Sequence, residues 1–474
     1  MIEKTHPLMF FRFLKPYSFV LILPFLRLLL KFGFQVILSG MFLFETAVFL
    51  VVILLAFLKW RFYRFYKKTD GFLLCYGIFI KREIYIPFVR IASIYERQNL
   101  IERIFSARSV FISTDAKGKK ADIRVCLKET VSCELFADKS LQNRHKIKRY
   151  KFKKIVLWAA VSGGAFSGAF IFVPIISKTA ELLGIGVYEL LIRRIAANTE
   201  ILGSYMPKAA NVAIFILLGF YVTAFVYRIF KGFGFSVALG QKDIEISNGI
   251  IAKYRTHFKR SEIKGLISEQ PLLMCVLGLF TLKASVGGCD SKKLFGNSII
   301  VPIFSKKRVD RHIFELTGEF ESNATLSKAI ARKGVISAIT PAMLLMLALF
   351  LSALYLFFLL ENFRRFIVFL AIIAFLGVLW WADLLIYSYK RGGLIFSKKI
   401  TAKGTIGLKR KTVCSDFEDI GLIKLIESPF DRRRGSSKAT ITLFSKNADR
   451  VRVKWLKRDE LLNIFLKRYN PKQK

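Results

Sequence analysis

"GIFIKREIYIPFVRIASIYERQN", residues Gly77–Asn99, is the stretch that decides the fold. Ile78, Ile80, Ile84 and Ile86 stand at even spacing, with Lys81, Arg82 and Glu83 among them. Alternation of period two marks a strand with one buried face. The stretch follows an apolar run that ends near Leu58. Strand text and membrane-helix text therefore sit side by side in one chain.

The whole composition points to a membrane. Of 474 residues, 54% are hydrophobic and 47 are Phe, more apolar than ordinary soluble domains. Lys and Arg number 76 against 33 Asp and Glu, a net charge of +43, so the preferred partners are anionic surfaces, with lipid headgroups first. The six cysteines, at 75, 126, 133, 275, 289 and 414, form no CxxC pair and read as reduced, mostly buried thiols. No cleavage pattern follows the first apolar run, so it is expected to stay in the protein.

A helix needs roughly 20 apolar residues to cross a bilayer. Residues 155–176, 211–230, 336–360 and 366–387 satisfy this. The run 17–58, interrupted by Pro24, Arg27, Lys31 and Glu45, allows either two crossings with a turn near Ser39–Gly40 or an interfacial helix followed by one crossing. Arg27 and Lys31 near a helix end would snorkel to the interface. Three long polar stretches separate the runs, and basic residues crowd the span ends. The positive-inside rule then puts all three stretches in the cytoplasm, and both termini with them if the first run crosses twice. The segment 177–210 becomes an outer loop, and Ala160, Gly164 and Gly168 a helix-packing stripe.

A long-range repeat organises the polar stretches. Gly77 set against Gly249, an offset of 172 residues, also brings Ile91 to Ile263, Gln98 to Gln270, Leu100 to Leu272 and Ser113 to Ser285 without a gap. A third copy fits more weakly, with Ile420 against Ile91 and Arg432 against Arg103. Each copy reads as strands, a turn, more strands and a closing helix, near 129–141, 307–316 and 458–469. A curled antiparallel sheet closed by a helix is the natural packing for such a unit.

The residues Gly77, Ile86, Pro87, Arg90, Ile91 and Ile94, then Gln98, the segment beginning at Arg103, and "HPL" at His6–Leu8, resemble the bacterial membrane proteins of the YdbT type, which carry three bacterial pleckstrin-homology-like (PH-like) domains. The second copy replaces Pro87 by Lys259 and Arg90 by Glu262, and the third keeps little beyond Arg432 and Gly435. The resemblance implies an α+β membrane protein with six transmembrane helices in three pairs and three cytoplasmic PH-like small β-barrels, each closed by a C-terminal helix. The domain boundaries expected are 1–58, 59–143, 150–232, 233–320, 334–388 and 389–470. The implied role is a non-enzymatic scaffold or binding protein of the bacterial inner membrane, in envelope stress or membrane defence.

Catalytic chemistry is sparse in the text. The four His (His6, His145, His257, His312) sit in no HExxH, and there is no GxGxxG after a strand and no GxxxxGK[ST]. No cofactor and no metal site is expected. Cys289 in "VGGCD" has no base beside it. The intramembrane acids Glu45 and Asp383 raise a second possibility, a transporter or channel component, although Asp383 lies beside Trp380 and Trp381 as interface residues do. The densest basic cluster supplies Lys146, Lys148, Arg149, Lys151, Lys153 and Lys154, expected contacts for anionic lipid headgroups. "DRRRGSSK" at Asp431–Lys438 is a second basic loop. Aromatic and basic residues do not interleave on a strand face, which disfavours nucleic acid. A further protein partner and an oligomer are compatible with the pattern.

Overall fold

The structure is a computed structural model that describes residues 2–17, 40–114, 122–132, 146–162, 208–240, 242–287, 299–305, 334–360, 364–396, 399–428, 436–444 and 449–457. The chain forms two compact units. The first is Met1–Arg149 with Phe235–Glu262 and Val286–Asn297; the second is Tyr150–Gly234 with Ile263–Ser285 and Ser298–Lys474.

In the first unit, β1 (Ile2–Lys4), β2 (Arg64–Lys67), β3 (Gly71–Tyr76) and β4 (Arg82–Pro87) make one antiparallel sheet. The opening stretch behaves as its alternation predicts only from Arg82 onward. Gly77 has φ +119°, and a Cβ there would overlap the Ile80 carbonyl oxygen, so residues 77–80 form a turn. Gly249, its partner in the repeat, has φ +99° and meets the Ala252 carbonyl in the same way. Only glycine adopts this conformation without strain. The repeat is anchored on a backbone requirement.

β5 (Ile91–Gln98), β6 (Ala107–Thr114) and β7 (Ile123–Lys128) face that sheet. Phe65, Phe72, Leu74 and Ile86 pack there against Ile91, Val110, Ile112, Ile123, Val125 and Leu127. This fits a PH-like β domain, built here from two separate sheets rather than the small closed barrel expected. The His6–Leu8 motif ties the N-terminus to it: the His6 amide donates to the Cys126 carbonyl (2.8 Å), and His6 Nδ1 accepts from the Leu8 amide (3.2 Å). α1 (Gly40–Arg61) leads into β2, and a short helix, α2 (Leu100–Ile104), joins β5 to β6.

The second sheet does not stop at β5. It continues through β11 (Lys253–Lys259), β10 (Asp243–Asn248), β9 (Ser236–Leu239) and β8 (Lys146–Arg149), giving seven strands in the order β7-β6-β5-β11-β10-β9-β8. The first strands of the second copy thus extend the last strands of the first.

The second unit repeats this arrangement. It contains α3 (Phe152–Ser162), α4 (Lys208–Gly232), β12 (Ile263–Pro271), α5 (Leu272–Val276), β13 (Leu279–Val286) and β14 (Ile299–Ser305). Next come α6 (Gly334–Leu359), α7 (Arg364–Arg391), β15 (Gly393–Phe396), β16 (Lys399–Ile406), β17 (Lys409–Asp416), β18 (Ile420–Ile426), β19 (Ser436–Leu443) and β20 (Arg450–Lys457). Its nine-stranded sheet runs β14-β13-β12-β17-β16-β20-β19-β18, with β15 on β16. The last strands of the second copy therefore extend the first strands of the third. The third copy then closes on itself where Thr405 of β16 pairs with Arg452 of β20.

The two junctions share one register. Across β5–β11, Ile94 faces His257 and Gln98 faces Lys253. Across β12–β17, Leu266 faces Cys414 and Gln270 faces Arg410. A step of 172 residues on one strand is matched by 157 on the other at both positions. Each junction covers a strand edge that would otherwise stand open to pairing with other chains.

The membrane part corrects the expectation of six transmembrane helices in three pairs. Among the described residues, two segments are long and apolar enough to cross a membrane, Ile339–Leu359 in α6 and Ile367–Arg391 in α7. They pack on each other through Ala342, Val378 and Leu385 and expose most of their remaining apolar surface. The described portions of α1, α3 and α4 do not reach that standard. The described part of α3, Phe152–Ser162, has 11 residues, short of the roughly 20 that a crossing needs. The segments holding Arg27, Lys31, the 177–210 loop, Gly164, Gly168 and most of the three closing helices lie outside the described residues, as does the Glu45 side chain of α1.

Candidate functional site

The most fully built polar site joins α7 to the nine-stranded sheet. The β16–β17 hairpin turns at Gly407–Leu408, and the Trp380 indole Nε1 of α7 donates to the Leu408 carbonyl (3.2 Å). One helical turn on, Asp383 Oδ2 accepts from Arg410 Nη2 (2.6 Å). A further turn on, the Arg410 guanidinium lies over the Tyr387 ring (4.4 Å to its centroid). The i, i+3, i+7 spacing puts Trp380, Asp383 and Tyr387 on one face of the helix. Arg410 is mostly buried in this clamp while Asp383 is half-exposed, so removing the carboxylate would strand the guanidinium. Asp383 is therefore a structural anchor, not a free intramembrane acid.

Beside this clamp, Glu269 of β12 sits among three lysines. Lys283 Nζ is at 2.9 Å, Lys409 Nζ at 3.7 Å and Lys411 Nζ at 3.9 Å from its carboxylate. Burial pushes the Glu269 carboxyl up, but these cations outweigh it and hold it at about 2. Lys411 also reaches Asp449 (3.7 Å), which accepts from the Ser285 hydroxyl (3.0 Å). The cluster thus links β12 and β13 of the second copy to β17 and the residue preceding β20 of the third.

The repeat-motif residues take structural places. Gln98 Nε2 donates to the Ala107 carbonyl (3.2 Å) and to Glu129 Oε2 (3.1 Å). Gln270 Nε2 makes the equivalent bond to the Leu279 carbonyl (3.1 Å), 172 residues on. Arg103 Nη2 donates to the Ile250 carbonyl (2.8 Å) at the β10–β11 turn, bracing the first junction. Pro87 caps the 3-10 turn that holds the exposed Arg90 at the corner between β4 and β5. Lys259, standing where the repeat has Pro, donates instead to the Phe88 carbonyl (3.3 Å). Arg432 lies outside the described residues.

The basic cluster divides between the units. Lys146, Lys148 and Arg149 lie on β8, at the edge of the seven-stranded sheet. Lys151, Lys153 and Lys154 are exposed at the start of α3 in the second unit. Cations oppose the dipole at a helix N-terminus, so helix stability does not explain them. At the same end of the α3–α4 pair, Phe152 meets Phe233 (5.6 Å between ring centroids) beside Lys231.

Among the described residues no group of His, Cys, Asp and Glu could hold a metal ion. Cys126 and Cys414 are buried, and burial pushes the Cys126 thiol up to about 12, far from a reactive thiolate. The sequence reading missed Glu269 and Arg410. Their partners are scattered over some two hundred residues, and no local spacing announces them.

The bacterial PH domain family matches residues 18–133 and 184–317, more than half of the chain. The chain belongs to that family. The first match contains β2 to β7 and the second β9 to β14, so the two matches fall on the two copies related by the 172-residue offset. A curated relative is the UPF0699 transmembrane protein YdbT of Bacillus subtilis (strain 168), 22% identical over 309 residues, covering 58% of this chain and 60% of the relative. The chain spans about 60% of that relative's length. With two apolar helices among the described residues, the chain is a membrane protein of YdbT type carrying bacterial PH domains.

Proposed function

We propose that the protein is a non-enzymatic scaffold of the bacterial inner membrane that presents its PH-domain sheets at the cytoplasmic face. The observation that carries this reading is the clamp of Trp380, Asp383 and Tyr387 on Leu408 and Arg410, which fixes an extended sheet to a membrane helix without a flexible linker. The extended strands offer surface for a protein partner. The test is affinity isolation from native membranes with the whole chain and with a chain ending after Arg391. The reading expects a partner retained by the first and lost by the second. Identical sets from both would overturn it.

The scaffold also engages anionic headgroups through Lys151, Lys153 and Lys154 of the second unit, three of the six cations that the sequence singled out. Attraction of this kind is worth about 1 kcal/mol per cation near the surface and fades within a Debye length of about 8 Å. The full chain purified in mild detergent should retain phosphatidylglycerol or cardiolipin. Replacing these three residues by Gln should remove most of it, and rising salt should release it. Retention that ignores both salt and substitution would point to a specific pocket elsewhere.

A further inference from the structure

The turn after β12 is an apolar tip held rigid from within. Met274 of α5 is fully buried, its carbonyl accepts from Gln270 Nε2 (3.4 Å), and its sulfur accepts from the Thr281 hydroxyl (3.5 Å). Around that anchor, Leu272, Leu273, Val276 and Leu277 point outward, Val276 being 78% exposed. The β16–β17 turn adds Leu408, also exposed. The first copy builds the same tip. Leu100, Ile101, Ile104 and Phe105 occupy the four equivalent positions, all exposed, with Ile250 and Ile251 on the neighbouring hairpin. Twice-repeated exposure of four large apolar side chains on a braced turn marks a contact surface.

What covers the α5 tip follows from its place beside α7. The span Ile367–Arg391 has 25 residues, so it is about 37 Å long and exceeds a hydrocarbon core of about 30 Å. Its final turns, with Trp380, Trp381 and Tyr387, carry the aromatic residues that favour the bilayer–water boundary. The Leu408 carbonyl is bonded to Trp380, which sets the hairpin turn at that level. Pro271 faces Lys409 across the sheet, and α5 begins at the next residue, so the tip stands at the same level.

We propose that the α5 tip, with Leu408, is seated in the interfacial layer of the bilayer, a wedge that adds a lipid contact beside the α7 anchor. This surface is apolar, and its contact with lipid differs in kind from the headgroup attraction assigned to the basic residues. The experiment places p-benzoylphenylalanine at position 276 in the full chain, reconstituted in vesicles of phosphatidylethanolamine and phosphatidylglycerol. Irradiation should yield a peptide carrying the mass of a phospholipid, in at least fivefold excess over the same probe at Leu422, an exposed leucine on the edge strand β18. Equal lipid yields at the two positions, a cross-link from 276 to a protein peptide, or no adduct at 276 would each overturn the proposal. Position 276 is exposed, so the probe leaves the core intact.

Discussion

Glu269→Gln is expected to lower the stability of the nine-stranded sheet by about 3 kcal/mol at neutral pH. The carboxyl is held at about 2 against an ordinary value of 4.5, and each pKa unit is worth 1.36 kcal/mol. The folded state therefore binds this proton more weakly than the unfolded chain. The stabilisation is fully present above about pH 4.5 and is lost as pH falls through 2. The amide keeps the shape but leaves Lys283, Lys409 and Lys411 facing one another with less negative charge between them. Hydrogen exchange at the β12 and β17 amides should accelerate more than a hundredfold at pH 7, with a smaller difference at pH 3. Unchanged exchange at neutral pH would show that the carboxylate contributes nothing net.

Gly404→Val should open the third copy. A Cβ at 404 would overlap the Arg452 carbonyl oxygen and crowd its carbon, both backbone atoms with no rotamer to escape into. β16 and β20 must then separate, and the Thr405–Arg452 pair that closes the sheet is lost. Ala402, Val451 and Val453 lie buried at that closure. Overpacking of this kind costs roughly 1–3 kcal/mol, and the exposure of the core adds to it. The expected result is fast amide exchange in β20 with β12–β17 pairing retained, because the junction lies on the opposite edge of β16–β17. Simultaneous loss of the junction would show that the closure and the junction unfold as one.

Much of the fold was legible because the signals were local. Alternation marked β4, and the repeat aligned glycines 77 and 249, although residues 77–80 read as strand and form a turn in the structure. The gapless 172-residue offset identified Gln98 and Gln270, whose bonds to the carbonyls of Ala107 and Leu279 are the same bond twice. Three features were not legible. Strand pairing between β5 and β11 joins residues some 160 positions apart, and an alternating strand does not say which neighbour it will take. Apolar content announced six crossing helices, yet among the described residues Ile339–Leu359 and Ile367–Arg391 are the two long and apolar enough to cross. The Glu269 cluster draws cations from β13 and β17, so it exists only once the second and third copies share a sheet.

That sharing is the central claim, and engineered disulfides measure it most directly. Residues directly opposite in an antiparallel pair have Cα atoms about 4.5–5.5 Å apart, within reach of a disulfide. Arg97 faces Tyr254 in the first unit, and Ser268 faces Thr412 in the second. Arg97→Cys with Tyr254→Cys, and Ser268→Cys with Thr412→Cys, should each oxidise within one chain, giving the linked peptides on mass mapping. If neither pair links, or the links form only between separate chains, the copies are not joined through continuous sheets.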